Sequence, residues 1–211
     1  MITWATSDGR DDGGDRVVPA ASTIKIFVAS AFWRSGLDPS QSADVAEAPW
    51  SLADRLSGPV TLGDCALLML AFSDNAATNA LIDHLGFDAV NSEAARLGAK
   101  HTEVRRLMMS DGPENVTCAR DLAVGIAAID ERRVFAALGV AHDSELPFRL
   151  PGHAVVVKTG EIWPRVYHEA ALIDGRLGVA VCSHPAALPG EVAAVAECVI
   201  ASSLDRGDGS G

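Results

Sequence analysis

The chain is poor in the groups that announce redox, metal or disulfide chemistry. Its four cysteines, Cys65, Cys118, Cys182 and Cys198, stand far apart, with no C-x-x-C pair and no cysteine–histidine cluster of zinc-ligand spacing. They read as buried free thiols. The six histidines show no H-E-x-x-H pattern, so neither a metal nor any other cofactor is expected. No apolar stretch is long enough to span a bilayer. The opening residues, Met1 to Pro19, are polar and rich in Asp and Gly, with no basic start followed by an apolar run. They carry no export signal, and the expected location is the cytoplasm. Positive charge is also scarce: 17 Lys and Arg face 28 Asp and Glu, a formal net charge of -11. Such a field on average repels phosphate backbones and anionic lipid, so nucleic-acid and membrane partners are not expected.

What is present is a globular composition, 48% hydrophobic and 21% charged over 211 residues, enough for one domain with a well-buried core. Ile2 to Thr6 alternates like a strand, Ser7 to Asp15 is turn-rich, and Arg16 to Val18 reads as the returning strand of a hairpin. Apolar residues recur at helical spacing from Ser22 to Trp33, from Thr61 to Ala71, from Asn75 to Leu85 and from Phe87 to Leu97. The same spacing runs from Thr117, as N-cap, to Ile129, and from Val134 to Leu138. After Pro151 the period changes. His153 to Thr159, Glu169 to Ile173 and Leu177 to Ser183 read as strands, the last two joined by a tight Asp174-Gly175 turn. Glu191 to Leu204 closes the chain as an amphipathic helix, and residues 206–211 form a flexible Gly/Asp/Ser tail. Strands from both ends joining one sheet, with helices between, predict an α/β domain over 1–205. The sheet part falls at about 1–20 and 150–205, with a helical lobe at about 21–149.

Three short motifs carry the chemistry. Ser22-Thr23-Ile24-Lys25 sets a hydroxyl and an amine three residues apart at the first turn of a buried helix, where i and i+3 share a face. A desolvated lysine at the positive end of a helix is neutral enough to take a serine proton, and the helix start offers N–H groups to an oxyanion. Ser73-Asp74-Asn75 stands at the break between two helices and Lys158-Thr159-Gly160 at the end of a strand. Each has an ordinary reading alone: a helix cap with a solvated lysine, a cap and turn, a strand ending at glycine. Together they do not. At residue usage near roughly five per cent, a given tripeptide arises in about one chain in forty of this length. Here two follow S-x-x-K in order, and two of the three lysines, Lys25, Lys100 and Lys158, fall within the motifs.

S-x-x-K, S-D-N and K-T-G in this order and setting resemble the class A β-lactamases and penicillin-binding proteins, from about Val18 to Leu204. The resemblance implies a five-stranded antiparallel sheet flanked by helices, plus an all-helical lobe, with the active site in the groove between them. It also implies that Ser22 forms an acyl-enzyme, Lys25 takes its proton, and Ser73 relays a proton to the leaving atom. Asn75 would help hold Lys25 and the substrate, and Lys158 and Thr159 would bind a substrate carboxylate. Gly160 would let the substrate approach the strand, and the N–H groups of Ser22 and Glu161 would form the oxyanion hole. The implied activity is that of a serine hydrolase, whether β-lactamase-like, DD-peptidase-like or esterase, on a small-molecule or peptide substrate with an amide, β-lactam or ester bond near a carboxylate.

Two departures qualify that expectation. The family's loop glutamate with asparagine four positions on is missing between Asn75 and Lys158, where Arg105 to Thr117 is shortened. Glu103 and Glu114 read as surface carboxylates there, and Ser110-Asp111-Gly112 reads as a turn. A penicillin-recognising regulatory domain and a biosynthetic acyltransferase therefore remain as alternatives. Trp163, Arg165, Tyr167 and His168, after K-T-G, are candidates either for substrate contact or for loop packing. The first strand also starts at residue 2, leaving no room for the N-terminal helix that in the family usually packs beside the last helix. That leaves two expectations for the Ala/Val-rich side of Glu191 to Leu204: a partner subunit forming a homo-oligomer, or a truncated gene start.

Overall fold

The computed structural model describes residues 1–141 and 143–204, so the tail expected at 206–211 lies outside the described residues. The strands are β1 (Ile2–Thr6), β2 (Asp11–Asp12), β3 (Val18–Pro19), β4 (Val116–Thr117), β5 (Val155–Ile162), β6 (Val166–Ile173) and β7 (Leu177–Ser183). The helices are α1 (Lys25–Ser35), α2 (Leu62–Ala71), α3 (Asn75–Leu85), α4 (Phe87–Arg96), α5 (Ala119–Ala128), α6 (Arg132–Leu138), α7 (Leu146–Arg149) and α8 (Pro189–Leu204). One antiparallel sheet of five strands runs in the order β2-β1-β7-β6-β5, as expected, uniting the two ends of the chain.

Local chemistry explains the element limits. Thr61 and Asp64 form a reciprocal capping box at the start of α2, with N–H to side-chain distances of 3.1 and 2.9 Å. Asp74 caps α3 by accepting from Ala77 N–H at 2.8 Å. Between β6 and β7, Asp174 and Gly175 both hold positive φ, 51° and 65°, and Arg176 N–H donates to the Ile173 carbonyl at 3.0 Å. This is the hairpin turn that an Asp-Gly pair favours.

Three expectations are corrected. The strand returning beside β1 is Asp11–Asp12, with Trp4 opposite Asp12, while Val18 pairs with Thr117 in a separate two-stranded ladder. Thr117 is consequently not the cap of α5: Cys118 is, and the Thr117 hydroxyl meets that of Thr102 at 2.8 Å. Cys65, Cys118 and Cys182 are buried, but Cys198 is exposed, because it lies on the outward side of α8 with Ala194 and Ala201.

The core has two parts. One fills the space among α1, α2, α3, α4 and α5 and one sheet face; the other lies between the opposite face and α7 and α8. β6 is buried along its whole length because both faces are covered. Helix α5, placed in the helical stretch by its sequence position, packs across β7, β1 and β6. Among the described residues, no helix is long and apolar enough to cross a membrane.

The α5–β7 contact depends on Gly178, where an added Cβ would lie 2.0 Å from the Ala123 carbonyl oxygen and 3.0 Å from Ala127 Cβ. Gly178→Ala should force helix and strand apart and cost about 1–3 kcal/mol. Thermal unfolding should show a midpoint lowered by several degrees; an unchanged midpoint would contradict this account of the contact.

Candidate active site

The three motifs converge on one groove of about 640 Å³, lined among others by Ser22, Ser73, Asn75, Thr159 and Glu161. Ser22 lies in a 3-10 turn (Ala21–Ile24) that leads directly into α1, half-buried, with Lys25 as the first residue of the helix. Ala21 before it holds a left-handed backbone, φ 49°, as does Ser73, φ 55°. For residues other than glycine this costs on the order of 1 kcal/mol or more each, and such strain gathers at functional sites.

Lys25 and Lys158 are both fully buried. Lys25 Nζ donates to the Ser73 carbonyl at 2.5 Å, to Ser73 Oγ at 3.3 Å and to Asn75 Oδ1 at 2.9 Å. Lys158 Nζ reaches the same Ser73 Oγ at 3.2 Å and the Thr159 carbonyl at 2.9 Å. One hydroxyl thus sits between two amines. Burial, and then the charge of Lys158, hold Lys25 well below the ordinary lysine range, while Asp74 and Asp143 pull it part of the way back. Burial brings Lys158 down to about 8, against an opposing pull from Asp143. Among the described residues no hydrogen bond joins Ser22 Oγ to Lys25 Nζ; the amine's donors all point to Ser73 and Asn75.

The supports of this cluster come from distant chain segments. Asn75 Nδ2 donates to the Pro49 carbonyl at 2.9 Å, and Asp74 Oδ2 accepts from the N–H groups of Leu52 and Ala53 at 2.5 and 3.1 Å. Gly160 has a structural reason: a Cβ there would lie 2.8 Å from Thr23 Cγ2, 3.0 Å from Thr23 N and 3.1 Å from Ser22 N. It lets β5 press against the turn that carries Ser22.

Other candidates separate. Trp163 and Tyr167 line the groove. Arg165 instead pairs with Glu114 at 2.8 Å, and His168 is buried away from it, meeting the Pro19 carbonyl at 2.8 Å. Glu114, expected at the surface, borders the groove. Burial pushes its carboxyl up, but Arg106 and Arg165, each at 2.8 Å, hold it below the usual carboxylate range. Ser110 to Gly112 is an exposed bend.

Sequence reasoning missed Asp143, whose carboxylate accepts from Thr159 Oγ1 and lies 3.9 Å from Lys158 Nζ. It also missed Trp50, Phe72 and Met109, exposed apolar side chains at the groove. Nothing local in the chain marks them. Among the described residues, Asp15, His101 and Cys118 bring metal-capable atoms within 4.8 Å, but Asp15 is already held by Arg120 at 2.6 Å.

Residues 6–197 match the profile of the beta-lactamase enzyme family. The chain belongs to that family. This beta-lactamase-family chain has the fold of class A enzymes, and it is a serine hydrolase. The beta-lactamase of Sphaerobacter thermophilus is 27% identical, the match covering 98% of this chain and 90% of that one, with a TM-score of 0.78. The class A beta-lactamase of Mycobacterium abscessus is 20% identical, covering 97% and 94%, with a TM-score of 0.80. An ancestral class A beta-lactamase (GNCA) is 19% identical, covering 96% and 94%, with a TM-score of 0.81. No curated protein matches the sequence.

The buried lysines give this family member a pH signature. Lys158 in the fold binds its proton less tightly than in the unfolded chain, so stability rises as pH climbs from about 8 toward the ordinary lysine value. Comparison with Lys158→Met cancels the titrating groups that do not feel its charge and leaves the contribution of Lys158 with its coupling to Lys25. Between pH 7.5 and 10, wild type should gain roughly 2 kcal/mol relative to the variant in urea unfolding. A constant difference would show that Lys158 is not desolvated.

Proposed function

We propose that Ser22 is the nucleophile and Lys25 its base, acting on an ester, β-lactam or amide carbonyl. Ser22 Oγ forms a bond to the carbonyl carbon while its proton passes to Lys25 Nζ. The bond to the leaving oxygen or nitrogen then breaks, and that atom receives a proton through Ser73 Oγ. Water attacks the acyl-enzyme, losing its proton to Lys25, which returns it to Ser22 Oγ as the acyl–oxygen bond breaks. The N–H groups of Ser22 and Glu161 hold the oxyanion, Asn75 positions Lys25, and Lys158 and Thr159 anchor a substrate carboxylate. Gly160 keeps the strand against the nucleophile turn.

The observation that carries this reading is Ser73 Oγ, 3.3 Å from one buried amine and 3.2 Å from another, in the groove that Ser22 lines. Lys25 is the more depressed in proton affinity by its causes, which suits a base. Its resting bonds to Ser73 and Asn75 leave Ser22 unengaged, and catalytic contacts of this kind tighten when substrate arrives.

The carboxylates of the groove are Glu114, Asp143 and Glu161. Glu114 is held by two guanidiniums, Asp143 by Thr159, and Glu161 is exposed, whereas Lys25 is buried against Ser73 Oγ, so we assign water activation to Lys25. The relatives are named beta-lactamases, which makes a β-lactam the first acyl donor to try, and an activated ester the one whose acyl-enzyme is released faster.

Incubation with a chromogenic cephalosporin and with p-nitrophenyl esters, followed by intact mass, tests the assignment. Ester turnover and a cephalosporin adduct are expected, both lost on Ser22→Ala and on Lys25→Ala by roughly a thousandfold or more. Turnover that survives Ser22→Ala would remove Ser22 from the mechanism.

A further inference from the structure

Lys158 and Thr159, the pair proposed above to anchor a substrate carboxylate, already hold a carboxylate of the protein. A single oxygen, Asp143 Oδ2, accepts the Thr159 hydroxyl and is the one that lies 3.9 Å from Lys158 Nζ. The contact is built. Ser144, next in the chain and buried, donates its hydroxyl to Glu169 Oε1 at 2.8 Å and accepts the Leu146 N–H at 3.0 Å. The loop before α7 is thereby pinned to the interior strand β6, and Asp143 is delivered to the groove from a fixed neighbour. Its side chain remains 43% exposed, while that of Lys158 is fully enclosed, so the carboxylate is the lysine's groove-side counter-ion.

Beside Arg106, Glu114 and Glu161, the rim carries exposed apolar side chains. Trp50, Phe72, Met109 and Trp163 are 84%, 63%, 53% and 59% exposed, and all border the groove. A ligand that fills it meets flat and flexible apolar surface at the mouth and an already neutralised cation at the anionic subsite.

We propose that Asp143 is a specificity-determining residue: it stands in for a substrate carboxylate on Lys158 and Thr159 and steers the groove toward uncharged, apolar-flanked acyl donors. An anionic substrate must first displace it. An occupied seat lowers apparent affinity by the fraction of time it is open, so a seat open one-tenth of the time weakens binding about tenfold. A neutral ester needs no such displacement.

This inference rests on the anchoring role given to Lys158 and Thr159, and its test is independent of the nucleophile. On a Ser22→Ala background, the dissociation constants of benzylpenicillin and of its uncharged methyl ester are measured by tryptophan fluorescence, with and without Asp143→Asn. The pH is 6, where Lys158 keeps its proton. The preference for the carboxylate over the ester should rise about tenfold on Asp143→Asn, and at least threefold. A smaller rise, a fall, or failure of the carboxylate to bind the double variant overturns the proposal. An error in the proposed nucleophile would show separately, as turnover of either probe by Ser22→Ala itself.

Discussion

Two lysine side chains enclosed side by side are the constraint around which the groove is arranged. Removing an ammonium group from water costs several kcal/mol even after the protein relaxes, and a second like charge nearby adds to it. Lys25 and Lys158 share Ser73 Oγ and have no solvent of their own. The cost is offset by carbonyl and amide oxygens: those of Ser73 and Asn75 for Lys25, and that of Thr159 for Lys158. What remains unbalanced emerges as depressed proton affinity, the property a general base requires. Strain and reactivity here have one origin, since Ser73 presents both its carbonyl and its hydroxyl to Lys25 while holding φ at 55°.

The residues of the Ser73-Asp74-Asn75 motif accordingly divide two tasks. Ser73 and Asn75 satisfy the amine, while Asp74 caps α3 and grips the backbone at Leu52 and Ala53. The segment that Asp74 fixes carries Pro49, whose carbonyl then holds Asn75. On the opposite wall, Gly160 removes the one Cβ that would separate β5 from Ser22 and Thr23. The distance from nucleophile turn to strand is therefore set by backbone against backbone, which tolerates less drift than long side chains do.

The parts of this arrangement that were legible in the sequence are those encoded locally. The capped helices, the Asp-Gly turn and the three motifs depend on residues within a few positions of one another, and the structure places the motif residues in one groove. Asp11–Asp12 escaped notice because two exposed acidic residues at a sheet edge bury nothing and so leave no hydrophobic alternation. Thr117 has the chemistry of a cap, but pairing with Val18, far away in the chain, draws it into a ladder instead. Helix α7 is only four residues long with a proline in its first turn, too short for any period. Asp143 went unnoticed, and Glu114 read as a surface carboxylate, for the same reason: their partners Thr159, Arg106 and Arg165 meet them only through the tertiary fold.

The groove's carboxylates bear on the division of labour between acylation and release. A carboxylate activates water when it is ionised and free to accept a proton, and a guanidinium on each side removes that freedom by stabilising the ionised form. Glu114 is in that position, and Asp143 is committed to Thr159 and Lys158. In the proposed mechanism the same amine then serves both half-reactions, first for the serine proton and later for the proton of water. Lys25 must shed its acquired proton before the second use, and Ser73 is the group in contact with it that also reaches Lys158. The shared hydroxyl is thus where the two half-reactions are coupled, and the neutral fraction of Lys25 governs both. An enzyme built this way favours acyl groups that leave serine readily.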